Sequence, residues 1–121
     1  KCSWLQPQEV PDGDVNSYYT YSLRFLHEDI SWESFRKKHI EYGGDGIFAA
    51  WKLLYQEDSI PDIKKRLVSM GLGKRLNTKR GICPTAELLQ KELMQFTTNQ
   101  KDENEMIIQA EALDKTIRYF S

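Results

Sequence analysis

Side chains alternate from residue 18 to residue 25, and this alternation constrains the fold more than any other feature of the chain. Aromatic and aliphatic residues occupy every second position, namely Tyr19, Tyr21, Leu23 and Phe25. The positions between them carry Tyr18, Thr20, Ser22 and Arg24. Because successive side chains of a β-strand point to opposite faces, this order predicts a half-buried strand rich in aromatic residues.

Helical signals follow the strand and are bounded by capping residues and glycines. Ser31 is a candidate N-cap, and the helix that it begins is expected to end at Gly43-Gly44. Pro61 suits the first turn of a second helix, which is expected to end at Gly71. Both helices are therefore predicted from local signals at their two ends.

Two further helices are predicted in the second half of the chain. Pro84 is expected to begin one, with three inward-facing residues, Ala86, Leu89 and Leu93. Residues 102–119 read as a long amphipathic helix whose apolar stripe consists of Met106, Ala110, Leu113, Ile117 and Phe120. Its acidic first turn suits the positive end of the helix dipole.

The remaining apolar segments are short. Residues 47–54 are expected to form a second strand and residues 94–98 a third, whereas residues 1–16 read as a loop because Pro7 and Pro11 interrupt any period. The resulting order is strand, helix, strand, helix, helix, strand, helix. It predicts an α+β fold, a small two-layer domain with a short, mainly antiparallel sheet packed against helices. We expect residues 1–15 to be an irregular lead-in and residues 16–121 to be the domain.

Composition limits the class of protein. The chain has 121 residues, a formal charge of -1 and 40% hydrophobic residues, which is typical of one small soluble domain. We expect no nucleic-acid partner, because the charge is balanced, and no membrane partner, because no apolar run approaches the roughly 20 residues that span a bilayer. Cys2 and Cys83 are expected to remain reduced thiols, which fits a cytoplasmic protein.

No catalytic or metal-binding constellation is evident. His27 and His39 are both expected to be surface or capping residues, and no metal site is predicted. The glycines at 43, 44 and 46 indicate a tight turn rather than a phosphate-binding loop. A basic loop is expected to be solvated rather than bound to nucleic acid; it contains Lys74, Arg75, Lys79 and Arg80.

Three stretches together indicate a family. They are the tyrosine-rich residues 16–24 (Asn-Ser-Tyr-Tyr-Thr-Tyr-Ser-Leu-Arg), the pair Gly46-Ile47, and residues 83–87 (Cys-Pro-Thr-Ala-Glu) followed by residues 93–98. Their order and spacing over residues 16–120 resemble the C-terminal small domain of the DegT/StrS family of sugar aminotransferases.

The resemblance implies an activity that this chain would share with a larger protein. Members of the family are pyridoxal-phosphate-dependent homodimers that aminate nucleotide-linked keto-deoxysugars in polysaccharide or lipopolysaccharide biosynthesis. The Schiff-base lysine and most cofactor ligands belong to a large domain that this sequence lacks. We therefore expect pyridoxal phosphate only in the full-length protein, and we expect this chain to be inactive alone. No catalytic residue is assigned to it. Its expected role is to supply substrate walls and part of a lid.

The same resemblance implies a set of substrate-binding residues, Tyr19, Tyr21, Arg24, Trp51 and Lys52. Tyr19 replaces a histidine of the family's strand, and Trp51-Lys52 lies near later histidine or arginine positions. These departures leave a related dehydratase open as the activity of the full protein.

Two other classes of function compete with the aminotransferase domain. One is a stand-alone, non-enzymatic protein-interaction module that uses the face formed by residues 18–25. The other is a nucleic-acid binder that uses residues 74–80, whose association would weaken steeply with salt. An excised domain should expose an unusually large apolar surface, whereas an independent module should not.

Overall fold

The computed structural model describes residues 2–49, 51–72 and 77–121, and its strands form one antiparallel sheet. The strands are β1 (Leu5–Pro7), β2 (Tyr21–Phe25), β3 (Ile47–Ala49) and β4 (Leu93–Phe96), in the spatial order β1-β2-β4-β3. The helices are α1 (Trp32–Glu41), α2 (Ile60–Ser69), α3 (Pro84–Leu89) and α4 (Glu103–Phe120), with a 3₁₀ turn at Leu54–Gln56. The predicted α+β class with an antiparallel sheet is confirmed.

The chain divides into two compact units. The first unit consists of residues 1–49 and 92–121 and contains the whole sheet with α1 and α4. The second unit consists of residues 50–91 and contains the 3₁₀ turn, α2 and α3. Each unit is described separately below.

The core of the first unit lies on one face of the sheet. Residue pairing sets Tyr21 beside Phe96, and Leu23 beside Met94, in the two central strands. The buried cluster on this face is Leu5, Leu23, Phe25, Phe35, Ile47 and Met94. Alternation along the strands directs the intervening residues, which include Ser22 and Arg24, to the opposite face.

Helix α1 begins and ends where the local signals predict. The Ser31 side chain accepts a hydrogen bond from the backbone N–H of Ser34, which caps the first turn. At the other end, Gly43 has a φ of 91° and donates its N–H to the carbonyl of Ile40, while Gly44 donates to the carbonyl of His39. This pair of hydrogen bonds is a Schellman motif, which requires a left-handed residue at the position of Gly43.

Helix α4 covers the same face of the sheet as α1 and packs against α1. Asp102 caps it by accepting a hydrogen bond from the N–H of Glu105, as its acidic start suggests. Leu113, Ile117 and Phe120 of the predicted stripe pack on the core cluster. Sheet and helices thus form the expected two layers within the first unit.

Three local expectations were wrong. Residues 1–16 are not all loop, because Leu5–Pro7 pairs with β2 and buries Leu5. Pro7 is tolerated there because β1 is an edge strand. The strand predicted over residues 47–54 ends at Ala49. The helix beginning at Pro84 ends at Leu89, so Leu93, which was expected to face inward from that helix, begins β4.

The second unit has no buried side chain among its described residues, 51–72 and 77–91. Its helix α2 ends as predicted, with Gly71 at a φ of 78° donating to the carbonyl of Val68. Ala50, together with Lys74 and Arg75 of the predicted basic loop, lies outside the described residues.

Among the described residues, no helix has the length and apolarity needed to cross a membrane.

Candidate functional site

The structure separates the predicted substrate residues of the β2 region. Tyr21 lies on the core face of the sheet, where its ring approaches that of Phe96, whereas Arg24 lies on the opposite face. Tyr19 precedes the strand and is 93% exposed. The predicted strand was to begin at residue 18, but β2 begins at Tyr21. Tyr18 has a φ of 47°, which no regular strand contains.

Arg24 is occupied by partners within the first unit. Its Nε and Nη2 donate to the same carboxylate oxygen of Glu92, at 2.9 and 2.6 Å, and its Nη1 reaches Gln6 at 3.4 Å. The two side chains of this ion pair are 40% and 22% exposed, so water screens it only in part. These contacts engage three of the five N–H donors of the guanidinium group.

The other two predicted residues belong to the second unit. Lys52 forms an ion pair with Asp58 at 2.6 Å, and this bond raises the pKa of the Lys52 ammonium group. Trp51 is 59% exposed, and its backbone carbonyl accepts a hydrogen bond from the Gln90 side chain.

A cavity of about 160 Å³ lies between the core face of the sheet and α4 in the first unit. We call it the α4 cavity; its apolar walls are Tyr21, Phe96, Met106, Ala110 and Leu113. His39 also lines it, and the rim consists of Asp45, Gly46, Thr97, Thr98 and Gln109. Tyr21 is the one predicted substrate residue that lines this cavity.

His39 is buried, so the prediction that it lies at the surface was wrong. It is 1% exposed, its ring stacks on Phe35 and it meets the ring of Phe96 edge to face. Burial lowers the pKa of the imidazole, and a hydrogen bond to the Ala112 backbone and the charge of Asp45 offset this shift in part. Its Nδ1 has no hydrogen-bond partner among the described residues.

Hydrogen bonds hold the rim of the α4 cavity. The Asp45 carboxylate accepts from the Thr97 hydroxyl at 3.2 Å and from the Gln100 amide at 2.9 Å. The backbone N–H of Asp45 donates to the Gln109 side chain at 2.6 Å, which ties the loop after α1 to α4. Thr98 donates to the carbonyls of Tyr18 and Tyr19, so the start of β2 is fixed to the end of β4.

Glu87 organises a polar cluster in the second unit. Its carboxylate accepts from the Tyr55 hydroxyl and from the backbone N–H of Gly81, the latter at 2.6 Å, and Arg80 lies 3.8 Å away. The bond from Tyr55, followed by the bond from Gly81, lowers the pKa of Glu87. Desolvation and the bond to Glu87 raise the pKa of Tyr55 to about 12. Tyr55 is therefore neutral and acts as a donor.

No described lysine lies in a desolvated pocket. A Schiff-base lysine needs a desolvated pocket, but none of the described lysines is buried and none lines the α4 cavity. The same part of the chain holds no group of three His, Cys, Asp or Glu residues arranged for a metal ion. Both cysteines are free thiols. Pyridoxal phosphate in the full-length protein stays a prediction of the resemblance.

The sequence did contain a signal for the burial of His39. Phe35 and His39 are four residues apart in a predicted helix, and residues at that spacing share a helix face. Asp45 and Gln109, which are 64 positions apart, carried no comparable local signal.

Comparisons with other proteins assign no family. The chain matched no protein-family model, no curated protein and no solved structure.

Proposed function

We propose that the chain is the C-terminal small domain of a pyridoxal-phosphate-dependent aminotransferase that acts on a nucleotide-linked keto-deoxysugar. The full protein would act as a cytoplasmic homodimer, and its large domain would supply the amino-transfer chemistry of the cofactor. This chain would supply substrate walls and part of a lid. The resemblance carries the proposal. Its first stretch overlaps β2 at residues 21–24, Gly46-Ile47 leads into β3, and residues 83–87 begin α3, which β4 follows.

Exposed apolar side chains support a missing covering domain. The second unit buries no described side chain, yet eight of its large hydrophobic residues are exposed: Trp51, Leu54, Ile63, Val68, Met70, Leu72, Ile82 and Leu88. Single exposed hydrophobic residues are ordinary on a protein surface. A compact unit that exposes this many and buries none is what an excised domain would leave.

The charge of the second unit supports an anionic substrate. Residues 50–91 contain nine Lys and Arg against four Asp and Glu, a formal charge of +5 in a chain whose total is -1. A nucleotide-linked sugar carries a diphosphate, which a positive surface attracts before any specific contact forms. Lys52 belongs to this unit and is 44% exposed at its side chain.

Tyr19 is the residue that tests this proposal most cleanly. Its side chain is 93% exposed, so its removal should leave the fold intact. In the full enzyme its hydroxyl would hydrogen-bond the sugar. Arg24 is a less direct probe, because its replacement also breaks the ion pair with Glu92.

The experiment uses the protein encoded by the complete natural reading frame. Amination of a nucleotide-linked keto-deoxysugar is measured with glutamate as the amino donor. We expect Tyr19→Ala to raise the KM for the nucleotide sugar about 3- to 10-fold, the range of one hydrogen bond, without changing the KM for glutamate. Val15→Ala is the matched control, since Val15 is 96% exposed and no role is assigned to it.

The same experiment tests the competing functions. A full-length protein that binds no pyridoxal phosphate and aminates no nucleotide sugar would overturn the proposal and favour the protein-interaction module. A protein that binds the cofactor and removes water from the sugar instead would identify the related dehydratase.

A further inference from the structure

Charge is divided unequally between the two units. The second unit, residues 50–91, has a formal charge of +5. Residues 1–49 and 92–121 contain eight Lys and Arg against fourteen Asp and Glu, a formal charge of -6. Surfaces of opposite sign attract each other, so a second copy of the chain offers each unit a partner of matching charge.

Helix α2 presents an apolar stripe that is bordered by basic residues. The stripe has helical spacing and consists of Ile60, Ile63, Leu67 and Met70. No side chain of α2 is buried, and Ile63 and Met70 are 44% and 68% exposed. Because a helix has about 3.6 residues per turn, Lys64 lies on one side of the stripe and Arg66 on the other. We call this surface the α2 stripe.

The first half of α4 presents two apolar residues that are bordered by acidic ones. Ile107 and Ile108 are 47% and 52% exposed and belong neither to the core cluster nor to the residues packed against it. Glu103 and Glu111 lie four residues before and after Ile107, so they share its face of the helix. We call this surface the α4 patch.

The charge of the α4 patch is negative. Residues 102–111 contain four acidic residues and no Lys or Arg. Glu111 pairs with Lys115 at 3.6 Å, but both side chains are more than half exposed, and such a pair contributes little. The α4 patch is therefore available to basic residues of a partner.

Opposite charge and shared apolar character make the two surfaces complementary. An amphipathic helix binds through its apolar face, and the charges at its borders set orientation and suppress wrong partners. A contact of α2 with α2, or of α4 with α4, would bring like charges together. The matching arrangement sets α2 of one copy against α4 of another.

We propose that the chain associates with a second copy of itself, in which the α2 stripe of one copy packs on the α4 patch of the other. The basic residues that border the stripe then face Glu103 and Glu111. The contact uses residues of this chain alone and does not depend on the proposed aminotransferase function. It covers Ile63 and Met70, two of the eight exposed hydrophobic residues of the second unit, and leaves the other six to the large domain.

Sedimentation velocity of the 121-residue chain over a series of concentrations tests the contact. We expect the mean mass to rise with concentration. The screening length falls from about 10 Å in 0.1 M salt to about 3 Å in 1 M salt, so the dissociation constant should rise at least about 10-fold between these conditions.

Two charge-reversed variants test which surfaces meet. Lys64→Glu/Arg66→Glu and Glu103→Lys/Glu111→Lys each place like charges across the contact, so each variant alone should associate at least about 10-fold more weakly. An equimolar mixture of the two should associate like the unaltered chain. The reason is that the mixture brings the unaltered α2 of one variant to the unaltered α4 of the other.

Glu28→Lys/Asp29→Lys is the matched control. It makes the same change in net charge as the reversal on α4, at two exposed acidic residues. They follow His27, whose ring reaches the carbonyl of Phe120 at the far end of α4 from the patch. We expect this variant to associate like the unaltered chain.

Several results would overturn the proposal. They are a monomer at every concentration, association that salt leaves unchanged, and a mixture of the two reversed variants that associates no better than either alone. Equal weakening by the control would do the same, because net charge would then explain the effect. The concentration and salt series use the unaltered chain, so they decide the matter even if a variant does not fold.

Discussion

Gly44→Ala is the substitution whose effect the structure defines most closely. A Cβ at position 44 would approach three atoms of the His39 ring to less than 3.0 Å, a separation that real Cβ atoms essentially never show. The ring cannot move aside easily, because it stacks on Phe35 and meets Phe96 at an interplanar angle of 84°. The substitution therefore forces a shift in the buried core of the first unit.

The size of the effect follows from the cost of overpacking. Extra atoms in a well-packed core cost about 1–3 kcal/mol, and we expect about 3 kcal/mol because the contact involves a fully buried ring. At about 4 °C per kcal/mol for a chain of this size, the midpoint of thermal unfolding should fall by roughly 12 °C. Urea unfolding followed by far-UV circular dichroism measures the free energy directly.

Gly46→Ala is the matched control. Neither glycine has a positive φ, but a Cβ at position 46 would have its nearest neighbour, Arg36 Nη2, at 3.8 Å, an ordinary contact. We expect this variant to be neutral or slightly stabilised, by up to about 1 kcal/mol, because alanine reduces the freedom of the unfolded chain. In a His39→Ala background, Gly44→Ala should also cost little. Equal stability of the two single variants would mean that the His39 ring accommodates the added methyl group without cost.

Three further predictions concern titration and reactivity. Because burial lowers the pKa of His39 below 6.5, its contribution to stability is complete above that pH and is lost as the pH falls towards the folded-state pKa. The urea midpoint should therefore fall between about pH 7.5 and about pH 5. We expect His39→Gln to remove this fall in the midpoint and His27→Gln to leave it unchanged. In an alkaline ultraviolet titration Tyr55 should ionise near its pKa of about 12, and Glu87→Gln should lower that pKa towards 10.0. The exposed thiol of Cys83 should react with a thiol reagent faster than the half-buried thiol of Cys2.

Local chemistry explains which parts of the fold were predictable. Ser31 and Gly43 mark the ends of α1 through hydrogen bonds that reach only three to five residues along the chain, so the sequence alone indicated them. The alternation over residues 18–25 predicted the central strand, which forms over Tyr21–Phe25, since a strand's period is visible in its own residues.

Long-range pairing explains what the sequence did not reveal. Strand β1 has only three residues, too few for a period, and it exists because β2 offers hydrogen bonds to it. The α4 cavity needs Asp45 and Gln109 to meet across the fold.

Of the predicted substrate residues, Tyr21 and Arg24 were expected on opposite sides of a strand, and they do lie on opposite faces of the sheet.

The coding sequence directly upstream of Lys1 distinguishes an aminotransferase domain from a stand-alone protein. We expect an in-frame large domain that contains a candidate Schiff-base lysine, and a full-length protein that shows the visible absorbance of bound pyridoxal phosphate. A start codon or a secretory signal immediately before Lys1 would contradict it, and the chain would then be a stand-alone interaction module.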